Sequence, residues 1–306
     1  MVNADVIAVI GELAALAAAF CWTLSPILYK VALSDAKPIS ANISRSISTT
    51  IFLFACLGVS GKLWDLVTLQ RDALFLACLS GVVGLCLGDT MYMLSLRLVG
   101  VSRAVPVSCV YPLFTMLFAT LFFNEQITLF LLMGAILIVV GIWLVSQEGN
   151  KSNNVARKTL LKGVFTALAT AIVWGVSITL MNNALTLSEP DSADAAFVVN
   201  TARMSATTLV FLTLSPLIDR QFQFMKLKRK TWIILALAGI IALGLGWFLL
   251  ALSLTYIQAS KAVPISSVSP LFATLIGALL LKEKVTVRIF VGSVLIVLGT
   301  TALFVM

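Results

Sequence analysis

Ten stretches of the chain stay apolar over about the length of a membrane-crossing helix, and short polar links join them. They cover 12–33, 42–59, 73–98, 104–123 and 129–146, then 163–187, 197–218, 232–256, 262–281 and 289–304. Crossing the hydrocarbon core takes about 20 such residues in a helix. Only 11% of the residues are charged and 60% are hydrophobic, whereas a soluble domain carries about 25% charged residues because its surface must face water. The expected fold class is therefore all-α: a polytopic integral membrane protein with ten transmembrane helices. No separate leader is expected, since no basic flank precedes the run at 12–33.

The net charge of +8 arises from Lys and Arg placed mostly in the links, as membrane proteins require. The cluster Lys226, Lys228, Arg229 and Lys230 abuts an apolar stretch and reads as topogenic and lipid-facing. Aromatic residues do not interleave with a basic domain, so no nucleic-acid partner is expected. The five cysteines, Cys21, Cys56, Cys78, Cys86 and Cys109, lie in apolar runs without C-x-x-C spacing, and histidine is absent. Neither a disulfide framework nor a metal site is expected, and the usual general base is missing. No G-x-x-x-x-G-K-S/T phosphate loop occurs. These features imply no cofactor and no catalytic residues. An intramembrane enzyme, which needs a nucleophile–base or metal constellation, is set aside.

The chain also repeats itself. A shift of 158 residues lays "AVPVSCVYPLF", from Ala104, on "AVPISSVSPLF", from Ala262. The same shift pairs Asn42 with Asn200, Arg45 with Arg203, Glu125 with Glu283, Gly134 with Gly292 and Gly141 with Gly299. The first helix of each half needs a shift of 152, which pairs Trp22 with Trp174. Two five-helix repeats, 1–147 and 163–306, are expected around a polar linker at 148–162. Five is odd, so the second copy enters the membrane from the opposite side. Such inverted repeats are typical of secondary transporters, with the substrate site near the midplane between the halves.

The residues carrying a family likeness are Trp22 and Trp174, the phrases "LSLRLVGVSRAVPVSCVYPLF" and "LSLTYIQASKAVPISSVSPLF", the turns "FNEQIT" and "LKEKVT", and the later glycines. In these the chain resembles the drug/metabolite transporter (DMT) superfamily, in its ten-helix form with two EamA domains. The resemblance covers nearly the whole chain and implies a small-molecule carrier of the cell membrane working by alternating access. The expected function is secondary transport, most plausibly export, of a small organic solute such as an amino acid or related metabolite. The expected partners are that solute, a coupled proton or cation, the lipid bilayer and a second copy in a homodimer. The alternative is a non-transporting membrane receptor or assembly protein.

Within the spans, Asp89 is the sharpest feature, because an ionisable group in hydrocarbon is costly and faces the protein interior. Its repeat equivalent is Trp247. It is expected either to bind substrate or a coupled proton, or to form an internal ion pair with Arg45 or Lys30. Trp22, Ser25, Tyr111, Trp174, Ser177 and Trp247 fall near helix middles, and Tyr92 shares a helix face with Gly81, Gly84, Gly88 and Ser95. Tryptophan ordinarily prefers the membrane interface, so mid-span indoles imply core packing or a cavity wall. An aromatic cavity with hydroxyls would suit an amphipathic metabolite or an aromatic amino acid. Arg45, Arg203, Lys30 and Asn182 are read as gate or internal ion-pair residues, with snorkelling the plainer role for Lys30. Arg103 and Lys261 are read as helix-end charges, snorkelling or beside a gate. Glu125 and Glu283 are read as helix-terminal groups ahead of Thr128 and Thr286. The paired glycines are expected to bring helices close together.

Ten spans put both termini on one side. The family resemblance implies cytoplasmic termini, whereas the Lys and Arg count in the links favours external ones. A small tag at each end, tested for accessibility in intact cells, is expected to report the same side for both. Opposite sides would remove the ten-helix arrangement.

Overall fold

In a computed structural model of the protein, the residues described are 4–114, 129–146, 157–188, 193–257, 262, 265–266, 268–281 and 285–302. Among them there are no strands. Six helical rods are long and apolar enough to cross a membrane. They are α1 (Ala4–Ala32), α2 (Pro38–Val59), α3 (Arg71–Val99), α6 (Arg157–Leu187), α7 (Ala193–Ile218) and α8 (Arg229–Tyr256). Shorter apolar helices stand where the other expected runs fall: α4 (Val101–Phe114), α5 (Leu129–Ser146), α9 (Ser269–Leu281) and α10 (Val287–Ala302). The expected linker is partly helical, since α6 begins at Arg157 and already buries Leu160 and Val164. Glu125, Thr128, Ser260, Lys261 and Glu283 lie outside the described residues.

Local sequence explains where the rods begin and end. Pro38 opens α2 at a position where a missing N–H costs nothing. Gly100 closes α3 with φ of 84°, a left-handed backbone that other residues resist. Thr286 Oγ1 accepts a hydrogen bond from the Ile289 N–H at 3.4 Å and so caps α10.

Both α3 and α8 contain a π-helical turn, at Val82–Gly88 and Ile240–Gly246. The two turns are related by the 158-residue shift. A wider turn loosens the regular i to i−4 ladder and leaves carbonyls for other donors. Asn42 Nδ2 donates to Leu85 O at 2.9 Å, and Asn200 Nδ2 donates to Leu243 O at 2.9 Å. The same device therefore ties α2 to α3 and α7 to α8.

The halves interlock through glycines. The third helix of each half packs on the first helix of the other, α3 on α6 and α8 on α1. A Cβ placed on Gly88 would lie 2.9 Å from Trp174 Cδ1, and one on Gly246 would lie 2.7 Å from Trp22 Nε1. Across the internal two-fold, Thr50 Oγ1 and Thr208 Oγ1 meet at 2.8 Å. The last helices, α5 and α10, cross on their own glycines, so that Gly141 faces Gly292 and Gly299 faces Gly134. Small residues permit such approaches in lipid, where van der Waals packing replaces the hydrophobic effect between helices.

A Cβ on Gly141 would sit 2.7 Å from the Gly292 carbonyl oxygen, whereas one on Gly58 would meet nothing closer than 3.8 Å. Gly141→Leu is therefore expected to destabilise the protein by about 1–3 kcal/mol, the usual cost of overpacking. Gly58→Ala is expected to be nearly neutral. Thermal unfolding midpoints in detergent compare the two.

Candidate functional site

Between the halves lies a cavity with about 620 Å³ of space between its atoms, the open mouth included. Trp22, Ser25, Asp89, Tyr92, Tyr111, Trp174 and Trp247, all singled out from sequence, border it, as does Arg45. The π-helical turn of α3 ends immediately before Asp89, which is 3% exposed. Asp89 Oδ2 pairs with the Arg45 guanidinium, and Oδ1 accepts a hydrogen bond from Trp174 Nε1 at 2.7 Å. Arg45 is held further by Asn42, whose Oδ1 accepts from Nε at 2.8 Å, and by the Tyr29 ring, whose centroid is 4.7 Å from Cζ. Tyr29 in turn donates to Ala238 O at 3.1 Å. One carboxylate thus joins α2, α3 and α6, and Tyr29 ties them to α1 and α8.

The second half repeats this arrangement with different chemistry. Trp247 stands where the repeat would place an acid, and the Arg203 guanidinium lies over its ring, 4.2 Å from the centroid. Arg203 Nε donates to Ser80 Oγ at 3.0 Å and another nitrogen to Ser177 Oγ at 3.3 Å. Met181 Sδ, at the position equivalent to Tyr29, accepts from the third nitrogen at 2.9 Å. Trp22, the counterpart of Trp174, meets Trp247 edge-on at 5.3 Å between centroids and donates to Ala242 O at 3.3 Å.

Aromatic rings form much of the wall. Tyr92 and Tyr111 lie 5.0 Å and 6.3 Å from the Trp174 ring, centroid to centroid. Tyr111 Oη and Ser266 Oγ are 3.4 Å apart across the repeats. Ser25 Oγ donates to Cys21 O, one turn back in its own helix.

The model of the EamA-like transporter family matches residues 9–147 and 161–305. The chain belongs to the EamA-like transporter family. A protein of Archaeoglobus fulgidus, described as an uncharacterized transporter, is 30% identical over 291 residues, covering 94% of this chain and 95% of its own length. An uncharacterized transporter of Clostridium kluyveri is 20% identical over 222 residues, covering 72% of this chain and 69% of its own. A solved crystal structure shares the fold with a TM-score of 0.68 at 16% identity, and each chain covers 95% of the other. This EamA protein is a multi-pass integral membrane transporter of the DMT superfamily, and its cargo is a small molecule.

Within this EamA fold several expected residues take other positions. Ser177 does not border the cavity; it lies behind the wall, bonded to Ser80 and Arg203. Arg203 likewise stands behind Trp247 rather than at the cavity surface. Lys30 is half-buried, and its Nζ donates to Leu96 O at 2.9 Å, because α3 passes close to the end of α1. Asp89 takes Arg45, not Lys30, as its ionic partner. Asn182 is half-buried near the end of α6, away from the cavity wall. Arg103, read as a helix-end charge, is 1% exposed, since α4 packs against α6 and α9 rather than opening to an interface. From sequence no role was read for Tyr29, Ser80 or Met181, and Asn42 and Asn200 stood out only as a pair related by the 158-residue shift.

Removing the Asp89 charge strands Arg45 in a low-dielectric interior. Asp89→Asn is therefore expected to destabilise the protein by about 3–5 kcal/mol. The double variant Asp89→Asn, Arg45→Gln is expected to recover part of that loss. A double-mutant cycle on unfolding in detergent measures the coupling, and equal losses for Asp89→Asn and the double variant would count against the pair.

Proposed function

We propose that the protein is a secondary transporter that exports a small organic solute, an amino acid or related amphipathic metabolite, by alternating access. The observation that carries this reading is the cavity at the junction of the two repeats, bordered by the matched Trp22 and Trp174, one from each. Inverted repeats give two arrangements of similar energy in which the halves exchange conformations, opening the site first to one side and then to the other. The walls suit such a cargo. Indole and phenol rings offer apolar area to its body, and the few hydroxyl groups fix its orientation. The glycine seams between α3 and α6, and between α8 and α1, present smooth surfaces along which the halves can rock. The paired Asp89 and Arg45 supply polar contacts at the cavity without leaving a bare charge in the hydrocarbon.

Protein reconstituted in vesicles preloaded with unlabelled amino acids is expected to show saturable counterflow of the labelled solute. Cells expressing the protein are expected to hold less of that solute than cells that lack it. Binding without flux across the panel would favour a receptor instead.

A further inference from the structure

Among the described residues, the ionic groups around the cavity do not balance. Arg45 and Arg203 are both buried, and the charge of one carboxylate, Asp89, acts on both. Arg45 has that carboxylate as its direct partner. Arg203 is 0% exposed and is held by two serine hydroxyls, a thioether sulfur and an indole face, all neutral. The 158-residue shift puts Trp247 where its acid would be. A cation desolvated in this way is ordinarily paired, and its field is little screened where water is excluded. The cluster of Arg45, Asp89 and Arg203 therefore carries one uncompensated positive charge beside the cavity.

The geometry on the opposite wall points the same way. Both oxygens of Asp89 are held, one by Arg45 and one by Trp174. An incoming amine finds no open acid there. Trp247 borders the cavity, and Arg203 lies against its ring, 4.2 Å from the centroid.

We propose that the missing anion is supplied by the cargo: the cavity selects solutes that bear a carboxylate, which settles against the Trp247 wall in the field of Arg203. This inference rests on the transport reading above and names the substrate class of that site. A bound organic acid completes a two-cation, two-anion cluster with a neutral centre, and a zwitterionic amino acid supplies the same carboxylate while its own ammonium lies apart, against the ring faces of the cavity. The body of the solute lies among the aromatic walls. Zwitterionic amino acids and simple organic acids both meet the requirement, while amines and amides do not.

The test uses matched pairs in vesicle counterflow: L-phenylalanine with L-phenylalaninamide, L-leucine with L-leucinamide, and indole-3-acetate with indole-3-acetamide. The acid of a carried pair is expected to move about 10-fold better than its amide or more, since the charge acts through the indole in a low-dielectric site and not by direct contact. Amides moving as well as acids would overturn the inference and leave the transport reading standing. No movement of any pair would count against both. A second arm is Trp247→Asp, which gives Arg203 an internal partner. If it folds, its preference for the acid is expected to vanish; a preserved preference overturns the role given to Arg203. Should the variant fail to fold, the matched pairs in the unaltered protein decide the matter.

Discussion

Two of the buried guanidinium groups, Arg45 and Arg203, lie beside the cavity of an apolar molecule, and the fold is arranged so that each finds hydrogen-bond partners within the chain. Arg45 needs a carboxylate from α3, an amide from its own helix and a ring from α1. Arg203 needs hydroxyls from α3 and α6 and a ring from α8. None of these partners is in reach unless the helices approach closely, and the glycines of α3 and α8 make that approach possible. Polar satisfaction and close packing are thus one problem in lipid, where no water can stand in for a missing partner. The cavity lies where these partners converge.

The internal symmetry then governs what differs as much as what is shared. Identical asparagines hold the two π-helical turns, and identical threonines touch at the two-fold. Three of the places where the copies part lie around the arginines: Asp89 against Trp247, Tyr29 against Met181, and Ser80 against Ala238. All three contact an arginine or its neighbours. The scaffold is therefore duplicated while the electrostatics of the centre are not, which sets a carboxylate in one half where the other has an indole.

Much of this was legible in the sequence. The apolar runs marked the rods, the 158-residue shift marked the repeat, and the mid-span Trp22, Trp174 and Asp89 marked the cavity. What could not be read were contacts decided by side-chain reach and rotation about a helix axis. Lys30 and Arg45 were equal candidates for Asp89, because choosing between them depends on how α1 and α2 lean against α3. Ser177 lies in mid-span as Ser25 does, yet it faces Ser80 and not the cavity. Arg103 looked terminal because Gly100 and the prolines break the local pattern, but the crossing of α4 with α6 and α9 buries it.

The π-helical turns have a consequence for the numbering of each rod. A turn wider than 3.6 residues holds more chain than an α-helix of the same rise, so all that follows is rotated about the axis. In α3 the first side chain after the turn is Asp89, and in α8 it is Trp247. The turn acts as a phase setting. Were the same residues wound as plain α-helix, the span would keep its composition and hydrophobicity, yet everything beyond would swing by about 100°. The acid would then point away from Arg45 although no residue of the site had changed. Spacing in this stretch is as much a part of the cavity as the side chains that border it.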